Sequence, residues 1–91
     1  MTEATDQMTP FITINGDSRD TLVNDRAAVL PALREAMKLM GETKPNGRNY
    51  IGQNEAYERD RAIYAARFSA LDTLYNTILY EALDIDRGGE R

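Results

Sequence analysis

Three residues in this chain of 91 could bring chemistry to a ligand: Arg26, Arg67 and Phe11. Arg26 falls between Leu22 or Val23 and Val29 or Leu30, on the edge of an apolar helical stripe. Arg67 has Ile63 and Ala70 as helical neighbours. A guanidinium beside an apolar stripe snorkels to water, pairs with a carboxylate, or holds an anion. Asp20, Asp25, Asp60 and Asp72 offer partners for an intersubunit salt bridge; the functional reading is phosphate held between subunits. Phe11 follows Pro10 in a polar segment, where its ring can stack on a base or staple the arm to the fold. Lys44 and Arg48, just ahead of a helix start, make a third and weaker place for an anion.

Other chemistry is excluded by composition. The chain has no Cys and no His, so disulfides, thiolate or imidazole metal sites, Cys nucleophiles and His-based triads cannot exist. Ser18 and Ser69 lack a base of the needed kind. Asp84-x-Asp86-x-Gly88-Gly89 echoes a calcium loop but puts Gly at a ligand position and has no closing Glu in place. Gly47–Gly52 lacks the Lys-Ser/Thr of a phosphate loop. No catalytic residue, metal or cofactor is assigned, and the chain is expected not to be an enzyme. A net charge of −4 argues against binding long nucleic acid, which needs a basic face. No run of 18 apolar residues and no basic-then-apolar leader occurs, so a soluble cytoplasmic protein is expected.

The elements that must position these residues follow from spacing. Residues 1–16 read as an N-terminal arm, polar over 1–9 and then Phe11-Ile12-Thr13-Ile14, a short strand-like run closed by Asn15-Gly16. Residues 17–87 read as an all-α helical hairpin, and 88–91 as a flexible tail. Asp17 and Ser18 cap a first helix whose stripe is Leu22, Val23, Ala27, Val29, Leu30, Leu33, Met37 and Met40, stopped at Gly41. Pro31 predicts a kink. Residues 41–53 form the connecting loop. Asn54 is expected to cap a second helix with the seam Tyr57, Arg61, Tyr64, Phe68, Leu71, Tyr75, Ile78, Ala82 and Ile85, and with a Glu55–Arg59 pair on its solvent side. Leu74, Leu79 and Leu83 lie off that seam. Two helices cannot bury so much apolar surface between them, which predicts an obligate homo-oligomer.

This layout resembles the small phage proteins that sequester cyclic oligonucleotides and block CBASS antiviral signalling. The resemblance spans residues 11–83 and rests on size, a short N-terminal segment, the hairpin, and Phe11 and Arg26 at a spacing of 15 residues. It also rests, loosely, on Ala66-Arg67-Phe68-Ser69-Ala70-Leu71-Asp72. It implies a hexamer in which Phe11 and Arg26 bind a cyclic dinucleotide and Arg67 serves a separate trinucleotide site. A phage-encoded sponge would act in the host cytoplasm. The sequence departs from that family where Phe replaces Tyr at 11, Arg replaces Lys at 26, and Ala28 and Asp72 stand in place of threonine. Asp72 would repel a phosphate. The alternative, from another class, is an acidic oligomeric hairpin that inhibits or adapts a basic host protein through its surface.

Overall fold

The computed structural model describes residues 6–88; the first five residues of the polar 1–9 segment and all but Gly88 of the expected tail at 88–91 lie outside them. The chain is all-α over this range: an arm, then helix α1 (Arg19–Met40), short 3-10 turns at Gly41–Thr43 and Gly47–Tyr50, and helix α2 (Asn54–Asp86). The helices pack as an antiparallel hairpin. Arg26 meets Glu81 and Arg34 meets Tyr75, so positions whose numbers sum to nearly the same value face each other. At ~1.5 Å per residue α2 is about 50 Å long, so the two ends of the hairpin are chemically separate places.

α1 begins where the sequence predicts. Ser18, in extended backbone, accepts from the Thr21 amide at 3.1 Å, and Asp20 adds charge favourable to the helix N-terminus. The helix runs through Pro31 as one element, and Pro31 lies on its exposed side. Gly41 ends it without a left-handed cap; its φ of −56° continues the turn into the 3-10 segment. α2 starts differently from expectation. Gln53, not Asn54, occupies the capping position, and no side chain caps the helix. Gly52 takes φ +77°, and Gln53 donates to the Tyr50 carbonyl at 2.7 Å, so the preceding turn sets the start.

Two further expectations are corrected. Residues 11–14 form no strand; Ile14 and Asn15 make a turn closed by Gly16 N–H to the Thr13 carbonyl at 3.3 Å. A lone four-residue run with no neighbouring strand has nothing with which to exchange ladder bonds. The Glu55–Arg59 pair is replaced by Arg59 Nε to Asp60 Oδ1 at 3.2 Å, while Arg61 turns back to Glu58 at 3.1 Å. On a solvated helix face such pairings differ by tenths of a kcal/mol.

The seam of α2 is real but thinly covered. Every predicted seam residue except Arg61 is half-buried or buried, yet among the described residues only Ala82 and Ile85 are buried hydrophobics. The predicted excess is visible as Leu83 exposed on α2, with Val29 and Leu39 exposed on α1. Leu74 and Leu79 are half-buried and so better covered than predicted. Among the described residues no helix is long and apolar enough to cross a membrane.

Candidate functional site

At the open end of the hairpin, α1 and α2 bring Arg26 and Glu81 together. Arg26 Nε donates to Glu81 Oε2 at 2.5 Å, and Arg26 Nη1 donates to the Leu22 carbonyl one turn back at 3.1 Å. Glu81 is 3% exposed and the Arg26 side chain 16%. A buried acid requires a partner, because desolvation of its charge is expensive unless it is matched and hydrogen-bonded. The second oxygen is matched by the arm: Met8 N–H donates to Glu81 Oε1 at 2.6 Å. Beside it, Gln7 Nε2 donates to Asp84 Oδ2 at 2.6 Å. The polar segment ahead of Pro10 is therefore fastened to the end of α2 through residues 7 and 8.

Phe11 follows this anchor by three residues and is 87% exposed. It does not staple the arm to the hairpin. Thr9 precedes a proline and is held to extended backbone, while Pro10 fixes its own φ, so the connection is stiff. Its reach from Met8 is at most about 11 Å. Phe11 and Arg26 thus belong to one end of the molecule, linked through the carboxylate of Glu81.

Arg67 lies elsewhere, 14 positions up α2 from Glu81 (81 minus 67), or about 21 Å along the helix. It borders a recess of about 200 Å³ with Thr43, Pro45, Tyr50, Asp60 and Tyr64. There the Tyr50 hydroxyl donates to Asp60 Oδ2 at 2.7 Å, and Arg59 takes the other oxygen. The hydrogen bond from Tyr50, with the nearby guanidinium groups of Arg59 and Arg67, holds the Asp60 carboxyl below its usual range. That same bond raises the Tyr50 phenol above its ordinary value, since the neighbouring carboxylate opposes a phenolate. Arg67 itself makes no hydrogen bond or ion pair among the described residues.

A wider groove of about 640 Å³ adjoins this recess, bordered by Lys44, Arg61, Tyr64, Phe68, Ser69 and Asp72. The Tyr64 and Phe68 rings lie 6.2 Å apart, centre to centre, along its floor. Lys44 reaches this groove but Arg48 does not border it; the Arg48 amide instead closes a turn onto Asn46 Oδ1 at 2.9 Å. Asp72, already set against a phosphate by its charge, sits in the groove with the aromatic pair.

Of the residues singled out in the sequence, Phe11 and Arg26 belong to the open end of the hairpin and Arg67 lies toward the loop end. Sequence reasoning missed the partner. None of Asp20, Asp25, Asp60 or Asp72 pairs with Arg26, and the salt bridge is within one chain. The signal was present in Ile78-Leu79-Tyr80-Glu81-Ala82: Glu81 falls three after Ile78 and four before Ile85, at the edge of the apolar seam beside Ala82. The Tyr50–Asp60 bond had no such signal, because it joins a loop to a helix. Among the described residues no cluster of acids could hold a metal ion. No family model matches this sequence, and comparison with curated proteins and with solved structures finds no significant similarity.

Proposed function

We propose that this protein is a non-enzymatic sponge, which assembles with copies of itself and holds a cyclic di- or oligonucleotide at subunit interfaces. Such binding would lower a host's antiviral signal without destroying it. One observation carries the reading: an aromatic ring with no cover follows, by three residues, an arm anchor whose carboxylate, Glu81, also holds a largely covered arginine. A cyclic dinucleotide presents paired bases to stack upon and phosphates to neutralise, and these two side chains match that chemistry. Assembly is supported by the thin core, since among the described residues only Ala82 and Ile85 are buried hydrophobics and the rest of the seam is half-covered. A hexamer is the arrangement that the resemblance implies. Arg67 is the second contact in this proposal, and it has less support because Asp60 shares its recess and competes with phosphate.

The test is calorimetric titration of purified protein with a panel of cyclic di- and trinucleotides, followed by chromatography of the bound fraction. Submicromolar binding with the nucleotide recovered intact is the expected result. Phe11→Ala removes an exposed ring and leaves the fold alone, so it should weaken dinucleotide binding with the unfolding midpoint unchanged. Absence of heat with every nucleotide would overturn the proposal. A second reading, an acidic hairpin that docks on a basic host protein, draws on the net charge of −4 together with the exposed Tyr80 and Leu83. Capture of one basic host protein by nucleotide-free material would favour it.

A further inference from the structure

One carboxylate touches both halves of the proposed site. Glu81 Oε2 receives Arg26 Nε, and Glu81 Oε1 receives the Met8 amide. We infer that Glu81 is a positioning residue that sets the cation and the aromatic-bearing arm in register for the ligand; this rests on the nucleotide reading above.

The argument for the cation is one of donors. A guanidinium carries five N–H groups in a rigid fork. Nε is taken by Glu81 and one Nη1 hydrogen by the Leu22 carbonyl. One bond goes to α2 and the other to the backbone of α1 itself, and together they fix the plane of the group. They leave Nη2 and the second Nη1 hydrogen as the edge that an incoming phosphate can engage bidentately. Without Glu81, the side chain would keep only the carbonyl bond and regain several rotamers, each to be lost again on binding.

The argument for the arm is one of stiffness. Met8 is the last arm residue with a bond to the hairpin before Phe11. Between them lie Thr9 and Pro10, whose backbone angles are restricted, and beyond Phe11 the chain closes into the Thr13–Gly16 turn. A substituted side chain at Gly16 would press its Cβ to 2.8 Å from Thr13 Oγ1, so that turn is tight. Fixing Met8 therefore limits where the Phe11 ring can go. Because both tasks fall to the same carboxylate, movement of one half is felt by the other.

The sign of one substitution separates this from plain electrostatics. If Glu81 were only a negative charge near Arg26, Glu81→Gln would strengthen binding of an anion. As a positioning residue its loss should weaken binding of cyclic di-GMP or cyclic di-AMP, whichever binds the wild type, by roughly tenfold, the scale seen when an orienting partner of a binding group is removed. Amide hydrogen exchange at Met8 should quicken in the same variant without ligand. Met8→Pro deletes the arm's donor while keeping the Arg26–Glu81 pair, so it probes the arm even if the first variant folds poorly. It should lose as much affinity as Phe11→Ala, and combining the two should add little.

Binding of the cyclic dinucleotide by Glu81→Gln at wild-type strength or tighter would overturn the inference and leave the sponge reading standing. Full affinity in Met8→Pro would overturn it too. Failure of the wild type to bind any cyclic di- or trinucleotide of the panel would sink the sponge reading, and Glu81 would then be a structural clamp only, whatever the exchange at Met8 shows.

Discussion

The two ends of the hairpin use similar chemistry and bury it to opposite degrees. At the open end, Glu81 accepts from Arg26 and from the arm, out of water and close in sequence to Ala82 and Ile85, the two buried hydrophobics among the described residues. At the loop end, Asp60 accepts from Tyr50 and Arg59, with a third of its side chain still exposed. Each carboxylate has two donors, at 2.5 and 2.6 Å on Glu81 and at 2.7 and 3.2 Å on Asp60. The larger difference is the alternative available to each group when its partner is removed: Asp60 can turn to water, whereas Glu81 cannot. Burial ranks the two ends far apart.

That contrast can be broken most forcefully at Glu81. Glu81→Ala strands Arg26 and the Met8 amide, and breaking a buried pair on one side typically costs about 3–5 kcal/mol. Urea unfolding should show a loss of that order, large against the total stability of a small domain. Replacing both partners together, Arg26→Met with Glu81→Leu, should recover most of it. A loss under about 1 kcal/mol in the single variant would mean that the open end is no better shielded than a surface pair.

The exposed apolar surface comes next, including Ile63, which borders the loop-end recess. Ile63→Glu introduces charge on an exposed apolar position of α2 and should reduce the assembled mass seen by sedimentation. A wild-type mass near 10.3 kDa at all concentrations would remove the premise of assembly altogether.

At the loop end the expected effects are on titration. Asp60 is held below its ordinary range, so its contribution to stability is present above its unfolded pKa and fades as pH falls through the folded value. Tyr50 is raised, so the stability it contributes is complete below the usual phenol range and is lost as pH climbs through the folded value. In Tyr50→Phe, the Asp60 carboxyl followed by NMR should titrate at higher pH than in the wild type. An unmoved Asp60 would show that Arg59 and Arg67, and not Tyr50, set its value. The smallest effect is expected at Arg61 and Glu58, both more than half exposed. Arg61→Ala should change unfolding by no more than about 0.5 kcal/mol, the scale of exposed helix pairs.

The legible part of the site was the part carried by spacing. Phe11 after Pro10 and Arg26 on a stripe edge could be picked out because each stands against a local pattern. Arg67 could be separated from them because helix length turns sequence distance into physical distance. Glu81 was readable only in retrospect, since an acid at the edge of an apolar seam announces that it needs a partner but not which one. The strand-like run at residues 11–14 is no strand for the complementary reason: residue preference favours extended backbone, but a ladder requires a neighbour, and none lies among the described residues.

By itself, then, the sequence determined two amphipathic helices, their approximate ends and the connecting loop. Those features follow from residue type at intervals of three and four, which the chain sets locally. The tertiary structure decided that Arg26 pairs with Glu81, 55 positions away, and that the arm is pinned by the same carboxylate. It also decided that Tyr50 meets Asp60. The first two pairings depend on how one helix is shifted along the other, and the third on where the loop turns back. Only packing fixes those shifts, because a slide of one turn would leave every local pattern intact while giving each buried charge a different partner.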